Sequence, residues 1–281
     1  MGCVVVFSTK DEAGMSITSQ LWQLIPNAPI VAVEKDLIDL KSQDVPRADL
    51  VVFASKHVGK LPSFTVHVSG NPGSEARFGG VPYEVSISAP LPMRVALETM
   101  KRLASPGFQV TYEVTHHGPS DLKVPSFFAE LGSGPSQWSV PEHARVVAEG
   151  IAEVLRNCGN WKQFRPVLGL GGPHYAPNIT KYVLKSDVAV GHIVQGSILE
   201  ENDPERVIDV VLKANGNTSA LLLDWKGVKG GVRQKVLDVA ARRGLPVLRA
   251  RRRCRRSGAV HRFLSCYAYT STCLPLFTHS R

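Results

Sequence analysis

The chain has 281 residues, 43% hydrophobic and 20% charged, enough for one large α/β domain or two small ones with a substantial core. The formal net charge of +9 does not mark a nucleic-acid-binding body: eight basic residues and no acid lie between Arg249 and Arg281, while the 248 residues before them hold 25 basic and 24 acidic side chains. No run of 18 apolar residues occurs, so no transmembrane helix is expected.

From the N-terminus, short β-branched runs alternate with helical spacing. "CVVVFS" (3–8) follows no basic leader and reads as a first strand rather than a signal peptide. Met1, Gly2 and Cys3 also begin a lipidation pattern, but that strand must be buried. A cytoplasmic protein without a membrane partner is expected. A helix over 15–25 precedes strands at 29–34, 49–55 and 64–69, then a helix over 91–104 and strands at 109–115 and 125–131. Ser139, with Glu142 three residues on, predicts a capping box opening a helix over 139–156. Strands at 166–172, 188–194 and 219–225 and helices at 204–214 and 231–243 complete the series. The alternation predicts an α/β fold with a mixed, mostly parallel sheet covered on both faces. No linker interrupts it before Leu248, so a single domain over 1–248 is expected. The basic tail, 249–281, breaks abruptly in composition and reads as disordered or as a gene-model artefact, with nucleic-acid binding as the other reading. Five scattered cysteines, an odd number with no C-x-x-C pair, indicate neither a disulfide framework nor a thiolate zinc site.

Chemistry-bearing residues gather where strands end, the place where open α/β sheets build their sites. "SKH" puts His57 after one strand, "VTHHGP" puts His116 and His117 after another, and "GLGGPHYAPN" puts His174 and Tyr175 after a third. Asp224 and Lys226 follow "SALLL", and Glu130 and His192 sit late in their own strands. Glu130 amid "FFAELG" needs a partner or a metal. A lone histidine inside a strand, such as His67 or His192, is more often a hydrogen-bonded packing residue. Neighbours in extended chain point to opposite faces, so only one of His116 and His117 is expected to enter a pocket. The glycines of "GLGG" match no phosphate loop and suit a tight turn with close backbone approach. No G-x-S-x-G elbow anchors a serine hydrolase. Imidazoles and carboxylates without thiolates suit a hydrolytic zinc centre. "DWKGVKGGVRQK" offers Lys226, Lys229 and Arg233, with Trp225 as a base-stacking surface, for single-stranded RNA.

Together "SKH", "FTVHVSGN", "VTHHGP", "PSFFAELGS", "LGLGGPHYAP", "VGHIV" and "LLLDWKGVKG" resemble, in order, the motifs of the archaeal and plant type of D-aminoacyl-tRNA deacylase, over roughly residues 3–248. The resemblance implies a phosphorylase/hydrolase-like three-layer α/β/α fold, Zn2+ dependence, and hydrolysis of the ester joining a D-amino acid to the tRNA acceptor end. It marks His57, His67, Asn71, His116, His117, Glu130, Gly172, His174, Tyr175, His192, Asp224 and Lys226; Pro173 departs from the glycine the pattern expects. The expected metal ligands, a chemical assignment, are His116, His174, His192 and Glu130. His117, His174 and Lys226 are expected to be catalytic, and His57, Gly172, Tyr175, Trp225 and Lys229 to hold substrate. A zinc peptidase or amidohydrolase of related fold, and a non-catalytic RNA-binding module, are the alternatives.

Overall fold

In the computed structural model, which describes residues 2–250, every predicted run forms a strand. In chain order these are β1 (Cys3–Ser8), β2 (Ile30–Val33), β3 (Leu50–Val58) and β4 (Ser63–His67), then the two-residue β5 (Gly70–Asn71) and β6 (Glu84–Val85). They continue with β7 (Gln109–Tyr112), β8 (Ser126–Ser133), β9 (Arg165–Leu170), β10 (Val188–Val194), β11 (Ala220–Asp224) and β12 (Val247–Ala250). Strands β5 and β6 are too short to leave a pattern in the sequence, and β12 straddles the boundary drawn at 248. β12 takes in Arg249 and Ala250, the first two residues of the tail; the rest of that tail lies outside the described residues.

The five expected helices are α1 (Glu12–Leu24), α2 (Pro90–Leu103), α4 (Pro141–Arg156), α7 (Pro204–Ala214) and α8 (Gly230–Arg242). Three short ones, α3 (Pro135–Trp138), α5 (Pro177–Val183) and α6 (Gly196–Glu201), hold too few turns to show a period. Ser139 does not cap α4. Its hydroxyl donates back to the Pro135 carbonyl at 2.8 Å, and α4 starts at Pro141, whose ring is preset for the first helical position. The cysteines also depart from expectation: Cys3 and Cys158 form a disulfide across 155 residues, a spacing that no sequence pattern reveals. No helix of the described residues is long and apolar enough to cross a membrane.

The strands divide into two main sheets. Six run in the order β2-β1-β3-β8-β4-β7, with β4 and β7 parallel to each other and antiparallel to the rest; four run all parallel as β10-β9-β11-β12. Residues just beyond β7 join them, through Thr115 N to Ile193 O at 2.7 Å and Val114 N to His174 O at 2.9 Å.

Alternation along the strands decides what faces what. Val5, Val52, Val66, Ala129 and Leu131 pack with α1, α2 and α4 in the largest core cluster, which continues onto Val167 and Val190 of the second sheet. Leu168, Leu170, Leu221 and Leu223 face the other way, onto α7 and α8, and complete a three-layer α/β/α arrangement there. The opposite face of the six-stranded sheet has no long helix. Val6, Val51, Phe53 and Phe128 are covered by Leu37, Leu40 and Leu122 from short turns and loops. Farther along this second face the alternate residues change from apolar to ionisable.

The seam depends on one irregularity. Pairing of β9 with β10 shifts register between Val190 and Ile193, around Gly191 and His192. The His192 amide is taken instead by Asn215 Oδ1 at 2.7 Å, while Asn215 Nδ2 donates to Val167 O at 3.2 Å and to Thr218 Oγ1 at 2.9 Å. A Cβ at Gly191 would meet Asn215 Oδ1 and Ser88 Oγ, so only glycine fits there. Asn215→Ala strands several buried groups at once and should lower stability by about 2–4 kcal/mol in urea titrations. A loss below about 0.5 kcal/mol would mean that the bulge is held by packing alone.

Candidate active site

On the second face of the six-stranded sheet, Ser55 and His57 of β3, Glu130 of β8 and Thr65 and His67 of β4 stand together, and Glu113 follows β7 on the same parity. Thr65 pairs with Glu130 in register and donates its hydroxyl to that carboxylate at 3.2 Å. Two turns close the site. His116 and His117 come from the turn after β7, and His174 and Tyr175 from the turn after β9. Each turn carries a non-glycine residue with left-handed backbone, His117 at φ 45° and Ala176 at φ 36°. The left-handed His117 answers the adjacency question: the chain is not extended there, so both rings enter, with centroids 4.4 Å apart.

Glu113 is the hub. It is buried, and its Oε2 lies 2.7 Å from His174 Nε2 and 3.6 Å from His116 Nε2, while Oε1 lies 3.0 Å from His57 Nδ1. Burial alone would raise this carboxyl, but the hydrogen bond from His174 and the close His57 imidazole hold it well below the usual range. Glu130 is likewise lowered against its burial, chiefly by the charge of His67 and by His57. His57 Nδ1 faces both carboxylates, at 3.0 and 3.6 Å, and its Nε2 is 2.9 Å from Tyr175 Oη. Burial opposes its charge, yet the two glutamates outweigh it and push the imidazole up to about 11. A protonated His57 has two N–H donors, so Tyr175 Oη accepts from it and keeps its own hydrogen for another partner. Space around this ring is tight: a Cβ at Gly59 or Gly132 would meet it at 2.7 Å.

Three further imidazoles are set differently. His116 Nδ1 is 2.8 Å from Val114 O, His117 Nδ1 is 2.6 Å from Gly118 O, and His67 Nδ1 is 3.3 Å from Val68 O. A carbonyl only accepts, so each Nδ1 carries a hydrogen. That is the orienting contact by which proteins fix metal-binding histidines. Nε2 of His116 and His117 then carries a lone pair, while Nε2 of His67, facing Glu130, offers one only once its proton is displaced. Burial, together with the charge of His67, lowers His116 well below its ordinary value and takes His117 to about 4, leaving both neutral. His67 is raised, because Glu130 outweighs its burial; its Nε2 is 3.5 Å from that carboxylate and lacks a hydrogen-bond partner. His67, His116 and His117 can each offer an atom to one ion, with the three atoms within 4.8 Å of one another. Glu113, His116 and His174 form a second such group, and His57, Glu113 and Glu130 a third. The orphaned Nε2, the neutral rings and the surrounding negative charge fit a divalent, nitrogen-preferring ion such as zinc.

The structure thus brings together His57, His116, His117, Glu130, His174 and Tyr175, and separates the other candidates from them. His192 is wholly buried, with Nε2 3.0 Å from Ser86 O and Nδ1 2.9 Å from Thr115 Oγ1. Both nitrogens are committed, so it is a packing residue at the seam and not a metal ligand. Gly172 is spent on backbone contacts with Gly227 and Gly196, and Asp224 on Asn178 at 2.9 Å. Lys226 is exposed, with no bond to the cluster; Lys229 pairs with Glu200 at 2.6 Å. Trp225 lies under the guanidiniums of Arg249 and Arg233, at 3.7 and 4.6 Å, which occupy its ring. Two members escape sequence reasoning. His67 looks like any lone strand histidine, and Glu113 hides inside "QVTYEVT", although a carboxylate in an apolar run is the same signal that marked Glu130.

Comparison with known proteins identifies the family. The sequence model of the D-aminoacyl-tRNA deacylase family matches residues 45–248. The chain belongs to that family. It is 42% identical over 209 residues to the D-aminoacyl-tRNA deacylase of Pyrococcus abyssi, covering 72% of this chain and 74% of that one. The Thermococcus kodakarensis enzyme of the same name is 40% identical over 205 residues, with the same coverage. The crystal structure of a conserved protein of unknown function, AF0625, superposes with a TM-score of 0.78 at 31% identity, over 88% of this chain and 95% of its own. Every cluster residue falls within the matched span.

The raised His57 carries a linkage consequence. Its folded value lies above the unfolded one, so its contribution to stability is full below about 6.5 and is lost as pH rises toward about 11. Unfolding free energy should therefore fall between pH 7 and 11, and His57→Gln should flatten that segment. An equal slope in both proteins would mean that the ring is neutral. His192→Gln should lower the thermal midpoint and leave metal content unchanged; loss of metal would return His192 to the ligand set.

Proposed function

We propose that this chain hydrolyses the ester bond of D-aminoacyl-tRNA, releasing free D-amino acid and tRNA, with the histidine–glutamate cluster as its centre and zinc as its metal. Family membership supports the reaction. The observation that carries the site is Glu113, a buried carboxylate tied at once to His57, His174 and the turn of paired histidines. We draw the domain that holds it over residues 1–248, carried two residues further through β12 to Ala250.

Nε2 of His67, His116 and His117 would hold the zinc. Bound there, zinc supplies Lewis acidity, bringing the pKa of water toward neutrality and polarising an ester carbonyl. The remaining residues position and move protons. Glu113 fixes His174 with Nε2–H toward the carboxylate, which leaves Nδ1 as the basic nitrogen. The His174 side chain is 38% exposed, and the ring is placed to take a proton from water as its oxygen bonds to the ester carbon. The same imidazole then returns that proton to the ribose oxygen as the carbon–oxygen bond breaks. Tyr175, accepting from His57, directs its hydroxyl hydrogen at the charge that develops on the carbonyl oxygen.

Release of D-tyrosine from D-Tyr-tRNA by purified protein tests this reading. His174→Ala should slow it by at least about a hundredfold, the scale of acid–base groups. Phenanthroline should abolish turnover and added zinc restore it. Near-normal rates in the variant would remove His174 from the reaction. Cleavage of D-aminoacyl peptides but not of the tRNA ester would make the protein a peptidase.

A further inference from the structure

Unpaired positive charge gathers at one groove beside the histidine cluster. Lys101 at the end of α2, Lys181 in α5 and Lys185 just after it line a cavity of about 280 Å3, together with the polar Gln109, Thr111 and Thr180. All three lysines are exposed, and none has an ion pair among the described residues. The carboxylates nearest in sequence are engaged elsewhere, Glu98 by Arg94 at 2.7 Å and Asp187 by Arg165 at 2.9 Å. Opposing the helix dipole accounts for a lysine at the end of α2 and another in the last turn of α5. It accounts neither for Lys185 nor for the convergence of two helix ends on a polar groove. The basic stretch after β11 is different: Lys229 is neutralised by Glu200, and Arg233 is held on Trp225.

The groove and the site share a wall. Thr111 Oγ1 lies 2.5 Å from Tyr175 O and 2.9 Å from Thr180 Oγ1, and the same Tyr175 meets His57 through its hydroxyl. Helix α5 begins three residues after His174. A strand whose end reaches His174 therefore has this groove as an adjoining surface.

We propose that Lys101, Lys181 and Lys185 bind the phosphate backbone of the tRNA strand whose 3′ end enters the site. The proposal rests on the deacylase reading. Lysine ammoniums are compact point charges that neutralise phosphates without reading bases, which suits an enzyme acting on tRNAs of differing sequence.

The test is fluorescence anisotropy of a labelled acceptor-stem hairpin with its unpaired 3′ strand, across salt concentrations, using the full chain and a Lys101→Gln, Lys181→Gln, Lys185→Gln triple variant of matching thermal midpoint. The basic tail is common to both proteins and cancels. Each lost phosphate contact removes about 0.7–0.9 from the log–log salt slope, so the triple variant should lose about 2–3 units. Lys229→Gln should leave the slope unchanged. With D-Tyr-tRNA the triple variant should raise KM at least about tenfold and leave kcat within about twofold; D-tyrosyl-adenosine, which has no phosphate, should be cleaved equally by both proteins. An unchanged slope, or a loss of D-tyrosyl-adenosine cleavage, overturns the groove. Groove-dependent binding by a wild-type protein that releases no D-tyrosine leaves the groove standing and overturns the deacylase reading instead.

Discussion

A buried carboxylate has to be answered, and Glu113 is answered by three imidazoles from three separate stretches of chain. Removing one partner from such a set leaves charge uncompensated in the interior, at a cost of about 3–5 kcal/mol. That constraint ties the end of β3, the turn after β7 and the turn after β9 into one unit. Glu130 repeats the arrangement on β8, across β4 from Glu113, with His57 and His67. Two negative charges side by side then sort the imidazoles. Those facing the carboxylates, His57 and His67, favour the proton, while His116 and His117 are kept neutral. One cluster thereby contains both fixed cations and free lone pairs, which is what a hydrolytic centre has to combine.

The fold provides the space. Helices α1, α2 and α4 take one face of the six-stranded sheet, and the opposite face is capped only by short turns. Side chains alternating onto that second face are apolar toward one end and ionisable at the other, so the site is an extension of the core face rather than a loop attached to it. The antiparallel β4 matters here, because it brings His67 against Phe128 and Glu130 from a strand running the opposite way. The Asn215 bulge at the seam then sets the turn that carries His174 against Val114.

Much of this was legible in the sequence, for reasons that are local. β-Branched runs bounded by turns fix strands wherever the side-chain period is clear, as in "CVVVFS" and "VAVGHIV". Histidines at strand ends marked the site: His116, His117 and His174 beside Gly-Pro and Gly-Gly turns, and His57 by its strand end alone. What failed was non-local. His192 and His67 occupy similar positions late in strands, and only tertiary contacts separate a ring bonded to Ser86 and Thr115 from one facing Glu130. Lys226 and Trp225 sit at a strand end as the site residues do, but beyond the second sheet, where Arg233 and Arg249 claim the indole. The paired histidines needed a left-handed backbone that no spacing rule supplies.

On the proposed reading the cluster divides into a histidine trio that would bind zinc, with His67 giving up its proton to the ion, and a Glu113-centred set that handles protons. Anomalous diffraction at the zinc edge, on crystals of the purified protein, tests that division directly. The predicted result is a peak bounded by Nε2 of His67, His116 and His117, with His174 still on Glu113. A peak between Glu113, His116 and His174 would contradict it, because His174 would then be a ligand and could not serve as the base.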